Sequence, residues 1–451
     1  MVSIIKRLCS WTISGHSAPV RRLVFHIPLC ALAILYCFML ALPVTALASA
    51  AIDTGQWIRI NQLGYTPGGT KVAVWCSQQR ATISEFLLVD SATGKTVLRK
   101  KVPKIFGKYG PFASSGRLDF SGFSTSGVYY LKAGEARSPA FAINNGVYNG
   151  AADFCLFYLR QQRSGFNPFL KDSCHTHDGY TMYGPMPDST HIDVVGGWHD
   201  ASDYLQYAST TANATWHLLA AYRDFPQVFT DKKQANGLNG SNHIADVLDE
   251  AKWGLDWLLK LHPRPDWMFN QVADDRDHHG MRIPKEDNFY GKGFERPVYF
   301  INGQPQQQGK GMNHTTGTSS TAGKFAGAFS LGSNLFDTRD TSYAAVLRKH
   351  AITALRYAQK KPGVTQTVSV VSPYIYAEDN WTDDMELGFA SLAGMDKAKA
   401  LGNPKAALLD SAFHYAQAEK VTPWMRRDTA SHYQYYPFVN VGHYELAKQL
   451  E

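Results

Sequence analysis

Gly196-Gly-Trp-His-Asp-Ala-Ser-Asp-Tyr204 sets two carboxylates, Asp200 and Asp203, three residues apart where a glycine-rich segment runs into an amphipathic pattern. At this spacing on a helix both side chains face one cleft. Backbone N–H groups at a helix start would favour the ionised carboxylates. Two acids that hold and deprotonate a water are what one side of an inverting glycosidase site requires. The competing reading is structural, because aspartate is also a common helix N-cap.

Downstream of this stretch the hydrophobic period is helical. Ala208, Thr211/Ala212, Thr215, Leu218/Leu219 and Tyr222 share a face, as do Ile244, Val247/Leu248, Ala251, Leu255 and Leu258/Leu259. The same spacing recurs at Phe325, Ala328/Phe329, Gly332 and Leu335/Phe336, and at Leu347, Ala351, Ala354/Leu355 and Ala358. Upstream, Ala151, Phe154/Cys155 and Tyr158/Leu159 predict another helix, and weaker patterns begin near Asp383, Asn403 and Gly442. About eight helices and almost no strand follow from this period after Val147. The long connections 163–198 and 262–317 are the loops expected to carry function.

Before residue 145 the pattern changes. Ile58-Arg-Ile60, Phe86-Leu-Leu-Val89 and Val128-Tyr-Tyr-Leu131 are short β-rich runs separated by Pro67-Gly-Gly69, Asp90-Ser-Ala-Thr-Gly94 and Ser126-Gly127. They predict a small β-sandwich over residues 51–144, followed by a helical domain over 147–451.

The N-terminus carries Arg21-Arg22, an apolar run from Leu23 to Val44, and Ala46-Leu47-Ala48 and Ala48-Ser49-Ala50. Positive flank, apolar core and A-x-A sites predict a secretory signal over 1–50 and a secreted or periplasmic protein. An uncleaved anchor is the alternative, since the run is long enough to span. The formal charge of +7 falls to +3 without the first fifty residues, leaving 41 basic and 38 acidic side chains and no basic cluster. A nucleic-acid partner is therefore not expected. With 44% hydrophobic residues the chain can bury a sizeable core, which excludes disorder. Only Cys76, Cys155 and Cys174 lie beyond residue 50, too few for a disulfide scaffold.

The glycine-rich stretch resembles the G-G-W-[HY]-D-A-G-D-Y motif of glycoside hydrolase family 9, inverting cellulases built on an (α/α)6 barrel. Trp57-Ile-Arg-Ile-Asn-Gln-Leu-Gly-Tyr65 resembles the opening of the immunoglobulin-like domain that precedes many of these catalytic domains. Ile244-Ala-Asp-Val-Leu-Asp-Glu-Ala-Lys-Trp-Gly-Leu-Asp-Trp257, Trp381-Thr-Asp-Asp-Met-Glu-Leu387 and Tyr436-Pro-Phe-Val-Asn-Val-Gly-His-Tyr444 resemble barrel segments. The resemblance implies a monomeric β-1,4-glucan hydrolase, acting on a cellulose-like or related β-glycan; the alternatives are a catalytically inert, truncated relative that only binds glycan and a family member acting on another β-glycan such as chitosan-derived sugars. Asp203 would be the base that activates water and Asp200 its helper. Asp277 and His278 resemble a D-H pair that lines family clefts, and Trp381 and Asp383 are further candidates for the cleft.

There are departures. Ser202 stands where the family usually has glycine, and His279-Gly-Met-Arg282 replaces a tryptophan-rich stretch. No late N-E motif, the family's general acid, follows Tyr444, so the toroid is expected to be incomplete at its C-terminal end. Cys155, Cys174, His175 and His199 offer two thiolates and two imidazoles, a set that suits tetrahedral zinc. Some similar family members carry a structural zinc near this position. A Cys155–Cys174 disulfide and free thiols are the alternatives. The acid pairs Asp274-Asp275 and Asp383-Asp384 are possible calcium ligands, with capping as the plainer use.

Overall fold

A computed structural model describes residues 55–201, 203–290, 295–371, 375–395, 404–418 and 440–451. The expected signal over 1–50, Ser202 and residues 436–439 lie outside them. The chain divides into two compact units, one from residues 55–62, 70–123 and 127–141, the other from 63–69, 124–126 and 142 onward.

The first unit is strand-rich. Strands β1 (Gln56–Arg59), β2 (Val72–Ser77), β5 (Ile105–Phe106) and β6 (Ser114–Asp119) form an antiparallel sheet in the order β1-β2-β6-β5. A second sheet runs β4-β3-β7-β8, from β3 (Glu85–Asp90), β4 (Thr96–Lys101), β7 (Gly127–Ala133) and β8 (Ala136–Arg137). Alternation sends Trp75, Leu118, Phe86, Leu88 and Leu131 inward, each at most 1% exposed. Cys76 is a buried free thiol within this core, as a strand-borne cysteine should be.

The second unit holds eight α-helices among the described residues: α1 (Ala151–Gln161), α2 (Ala208–Asp224), α3 (Asp246–Leu261), α4 (Ser319–Phe336), α5 (Thr341–Lys360), α6 (Thr382–Ala393), α7 (Lys405–Ala418) and α8 (Val441–Leu450). Helix α2 packs on α3, α4 on α5 and α6, and α6 on α7 and α8. Helix α4 is buried on nearly every face, which is why its sequence is apolar or small apart from Lys324, which pairs with Asp384, and Asn334. A Cβ at Gly323 would lie 2.4 Å from the Asp384 carbonyl oxygen, so glycine there sets how closely α6 approaches. Helix α5 has a clean face of Ala344, Leu347, Ala351, Ala354, Leu355 and Ala358, and Asp340 caps it by accepting from the Tyr343 N–H.

Two expectations fail here. Helix α1 buries Leu156 and Arg160, while Phe154, Cys155 and Tyr158 are exposed. Arg160 turns inward because Asp246 and Glu250 await it at 3.5 and 3.4 Å. The near-absence of strands is also wrong. Strands β11 (Tyr180–Met182), β12 (Gln206–Tyr207), β13 (Phe269–Val272) and β14 (Pro297–Phe300) form a sheet in the order β11-β14-β13-β12, and β9 (Gly165–Asn167) pairs with β10 (Asp172–Cys174). All four residues of β13 and of β14 are buried, so neither shows the alternation that betrays a half-exposed strand.

Candidate active site and metal centre

The paired aspartates do not sit on a helix. Asp200 and Asp203 lie outside any helix and α2 begins only at Ala208, so the start of α2 does not carry them. Helix α3 holds the loop instead. Its Glu250, Trp253 and Trp257 lie at i, i+3 and i+7, one face of the helix. The Glu250 carboxylate accepts from Trp198 Nε1 at 2.8 Å, Trp253 Nε1 donates to the Gly197 carbonyl at 2.8 Å, and Trp257 Nε1 donates to the Val194 carbonyl at 2.9 Å. Gly197 has φ 72°, and a Cβ there would fall 2.6 Å from the Trp257 ring, so only glycine fits. A Cβ at Gly254 would lie 2.6 Å from the Trp198 ring, so glycine lets the indole lie on α3. Glu250 is fully buried and is itself held by Arg163, whose Nη2 and Nε donate at 2.7 and 3.1 Å.

Each aspartate then has its own partner. Tyr376 donates its hydroxyl to Asp200 Oδ2 at 2.7 Å. Burial raises the Asp200 pKa, the Tyr376 hydrogen bond opposes the rise, and the Asp203 charge adds to it. His278 Nε2 lies 3.0 Å from Asp203 Oδ2, with the imidazole 37% exposed, whereas Asp203 Oδ1 is buried without a hydrogen-bond partner among the described residues. One carboxylate oxygen is thus held by His278 and the other has no hydrogen-bond partner among the described residues.

The other cleft candidates divide. His278 stands at Asp203, but Asp277 is fully buried below it, paired with Arg282 and accepting from the Tyr204 N–H at 3.3 Å. It braces the loop and is not available to a substrate. Burial raises its pKa against the two nearby arginines, Arg296 and Arg282. Trp381 precedes α6 and packs edge-on against Tyr415 at 5.9 Å. Asp383 is buried in the first turn of α6, beside the Lys324–Asp384 ion pair at 2.6 Å. The acids considered for calcium are committed as well: Asp274 to Arg276 and Tyr299, Asp275 to Ser369 and the Val370 and Val371 N–H groups, Asp384 to Lys324.

Cys174, His175 and His199 converge; one donor atom from each lies within 4.8 Å of the others, and all three residues are buried. Cys155 does not join them. It is exposed on α1, where its thiol donates to the Ala151 carbonyl at 3.4 Å, and both cysteines are free. His175 Nδ1 and His199 Nε2 are 3.3 Å apart. Two nitrogens each about 2.0–2.1 Å from one tetrahedral ion would be separated by about 3.3–3.4 Å, so the pair fits zinc. The other ring nitrogen of His175, Nε2, lies 3.1 Å from Asp287 Oδ2, the carboxylate partner that metal-bound imidazoles commonly have. Burial raises the Asp287 carboxyl, but hydrogen bonds from His175 and Arg282 outweigh it and hold the pKa well below the usual range. Burial lowers the pKa of both histidines, which keeps them neutral and able to ligate. It lifts the Cys174 thiol to about 11, a cost that a bound cation would reverse.

A family model described as glycosyl hydrolase family 9 matches residues 148–447. The chain belongs to this family. A cellulase N-terminal ig-like domain model matches residues 53–138 of the same family 9 chain, in agreement with the strand-rich unit. The chain is 26% identical over 346 residues to a xyloglucan-specific endo-beta-1,4-glucanase of Bacteroides ovatus, covering 73% of this chain and 54% of that one. A metagenome-derived family 9 endoglucanase of known structure superposes with a TM-score of 0.61 at 25% identity, covering 81% of this chain and 64% of that one. A Zn-binding triple mutant of the family 9 endoglucanase J30 shares the fold at a TM-score of 0.62 and 24% identity, with coverage of 79% and 64%. The chain spans about half the length of the curated relatives it matches, and no helix among its described residues is long and apolar enough to cross a membrane.

Proposed function

We propose that the chain is the base-bearing part of a secreted, inverting endo-acting hydrolase of β-1,4-glucan or a related β-glycan. The observation that carries this reading is the state of Asp203: Oδ2 is held by His278, Oδ1 is without a partner among the described residues, and Asp200 stands beside it on Tyr376. Asp203 would take a proton from a water bound at Oδ1 as that water attacks the anomeric carbon. Asp200 would accept the water's second hydrogen and keep its oxygen aimed. The role of general acid is assigned to no residue.

Export by a signal over residues 1–50, an immunoglobulin-like domain over 51–144 and a catalytic domain over 147–451 belong to the same proposal. So does zinc at Cys174, His175 and His199. There it would be structural, tying β10 to the loop that carries Asp200, because His199 directly precedes that aspartate. Product stereochemistry tests the reading. Proton NMR during hydrolysis of 2,4-dinitrophenyl β-cellobioside, whose leaving group needs no acid, should show the α-anomer of cellobiose first; first appearance of the β-anomer would defeat the inverting assignment.

A further inference from the structure

With Cys155 pointing away, the metal centre has three protein donors, and the backbone indicates a fourth. Gly165 pairs with Cys174 across the β9–β10 hairpin. One step outward along that antiparallel register sets Ser164 beside His175. On its other flank, Arg163 bridges Trp198, the Ser164 N–H donates to the Gly197 carbonyl at 2.9 Å, and the His199 N–H donates to the Gln162 carbonyl at 2.7 Å. Ser164 therefore lies between the segment bearing His175 and the segment bearing His199.

The side-chain directions agree. Arg163 and Trp198 both reach Glu250. Alternation along an extended segment then turns Ser164 and His199 to the opposite side. Cys174 and His175 are consecutive and would ordinarily point apart. His175, however, has φ 51°, a left-handed conformation that brings its ring round to the side of the Cys174 sulfur. Such strain in a non-glycine residue persists where the surroundings demand it.

Ser164 is fully buried, and its Oγ has no hydrogen-bond partner among the described residues. An unsatisfied buried hydroxyl costs about 1–3 kcal/mol and is uncommon in native proteins. Resting on the zinc reading of this site, we propose that Ser164 Oγ is its fourth corner, giving a donor set of one thiolate, two imidazoles and one hydroxyl oxygen. A single thiolate leaves a divalent ion with one uncompensated positive charge in a buried setting. Fewer soft donors also weaken selection for zinc over other divalent metals. The site should therefore hold its metal exchangeably, and Asp287, through His175, should supply much of the compensating charge.

The test strips the full chain with a chelator and reloads it with cobalt(II) as a spectroscopic probe, then with zinc in competition with a chelator. The wild type should show thiolate-to-cobalt charge transfer from one sulfur. Ser164→Cys should raise that intensity about two-fold, as expected for two thiolates in place of one. It should tighten zinc by roughly ten-fold or more, the scale on which ligand-shell changes act. If cobalt binds both proteins but the new thiol leaves the spectrum unchanged and still reacts with a thiol reagent, Ser164 is not a corner. If neither protein binds cobalt or zinc, the zinc reading falls, and this inference with it. Should Ser164→Cys fail to fold, X-ray absorption on the zinc-loaded wild type decides. One sulfur at about 2.3 Å with three nitrogen or oxygen neighbours supports the proposal, and two sulfurs overturn it.

Discussion

Replacing Glu250 with glutamine tests how the catalytic loop is held. Glu250 is fully buried and takes the Arg163 guanidinium at 2.7 and 3.1 Å, Arg160 Nε at 3.4 Å and Trp198 Nε1 at 2.8 Å. Glutamine keeps the shape and leaves one oxygen, which the Trp198 indole can still use. Its amide nitrogen must then face a guanidinium N–H, donor against donor. Arg163 is as buried as its partner; it keeps its Nε bond to that oxygen and the Ala235 carbonyl at 3.2 Å but loses the Nη2 acceptor and the carboxylate charge, while Arg160 still has Asp246 at 3.5 Å. Most of the loss comes from leaving a buried guanidinium uncompensated, which costs about 3–5 kcal/mol when a buried pair is broken from one side. Against a typical total of about 5–15 kcal/mol, that is a large fraction of the stability. Urea unfolding followed by tryptophan fluorescence reads it directly, since Trp198, Trp253 and Trp257 all report on this loop. The double change Arg163→Met/Glu250→Met should restore part of the loss, because it removes both charges. A loss of less than about 1 kcal/mol for Glu250→Gln, the worth of an exposed pair, would refute the assignment of Glu250 as the loop's anchor.

Three further outcomes follow from individual contacts. His262 is buried, with Nδ1 2.7 Å from the Trp267 carbonyl, and burial lowers its pKa to about 4. Its contribution is therefore complete above the unfolded value of 6.5 and is lost as pH falls towards 4, by about 3 kcal/mol; His262→Asn should flatten that part of the stability–pH curve, and an unchanged curve would contradict it. Gly197→Ala should destabilise by about 1–3 kcal/mol through overpacking against Trp257, measured by thermal unfolding. Tyr376→Phe removes a hydrogen bond that lowers the Asp200 pKa, so any part of the acidic limb of kcat/KM that reports Asp200 should move to higher pH; no movement would separate Asp200 from that limb.

The helical patterns were legible where one face meets a core, as in α5, whose Leu347, Ala351 and Leu355 are all buried. They misled at α1, because the periodicity counts aromatics as buried and arginine as exposed, and buried carboxylates on α3 reverse both. The fully buried strands β13 and β14 escaped notice since they have no polar face to alternate with. At the site, Asp200 and Asp203 could be read from local spacing. Tyr376 and the Ser164–His175 juxtaposition could not, as they depend on contacts between distant segments. Cys155 offers a second thiolate for a tetrahedral set, but the fold leaves it exposed on α1, and Ser164 is the residue set beside His175. Asp277 and His278 are adjacent in sequence, yet one is buried in an arginine pair and the other half-exposed at Asp203, a division only the fold makes.

The most direct measurement compares the wild type with Asp203→Asn on 2,4-dinitrophenyl β-cellobioside, a substrate whose leaving group departs without protonation. That choice isolates the base from whatever residue supplies the acid. Asparagine keeps the contact with His278 but cannot accept the water's proton. Turnover should fall by about 10²–10⁴-fold, the usual contribution of a positioned general base, with the circular dichroism spectrum unchanged. Asp203→Asn turnover within a few-fold of the wild type would contradict the assignment of Asp203 as the base.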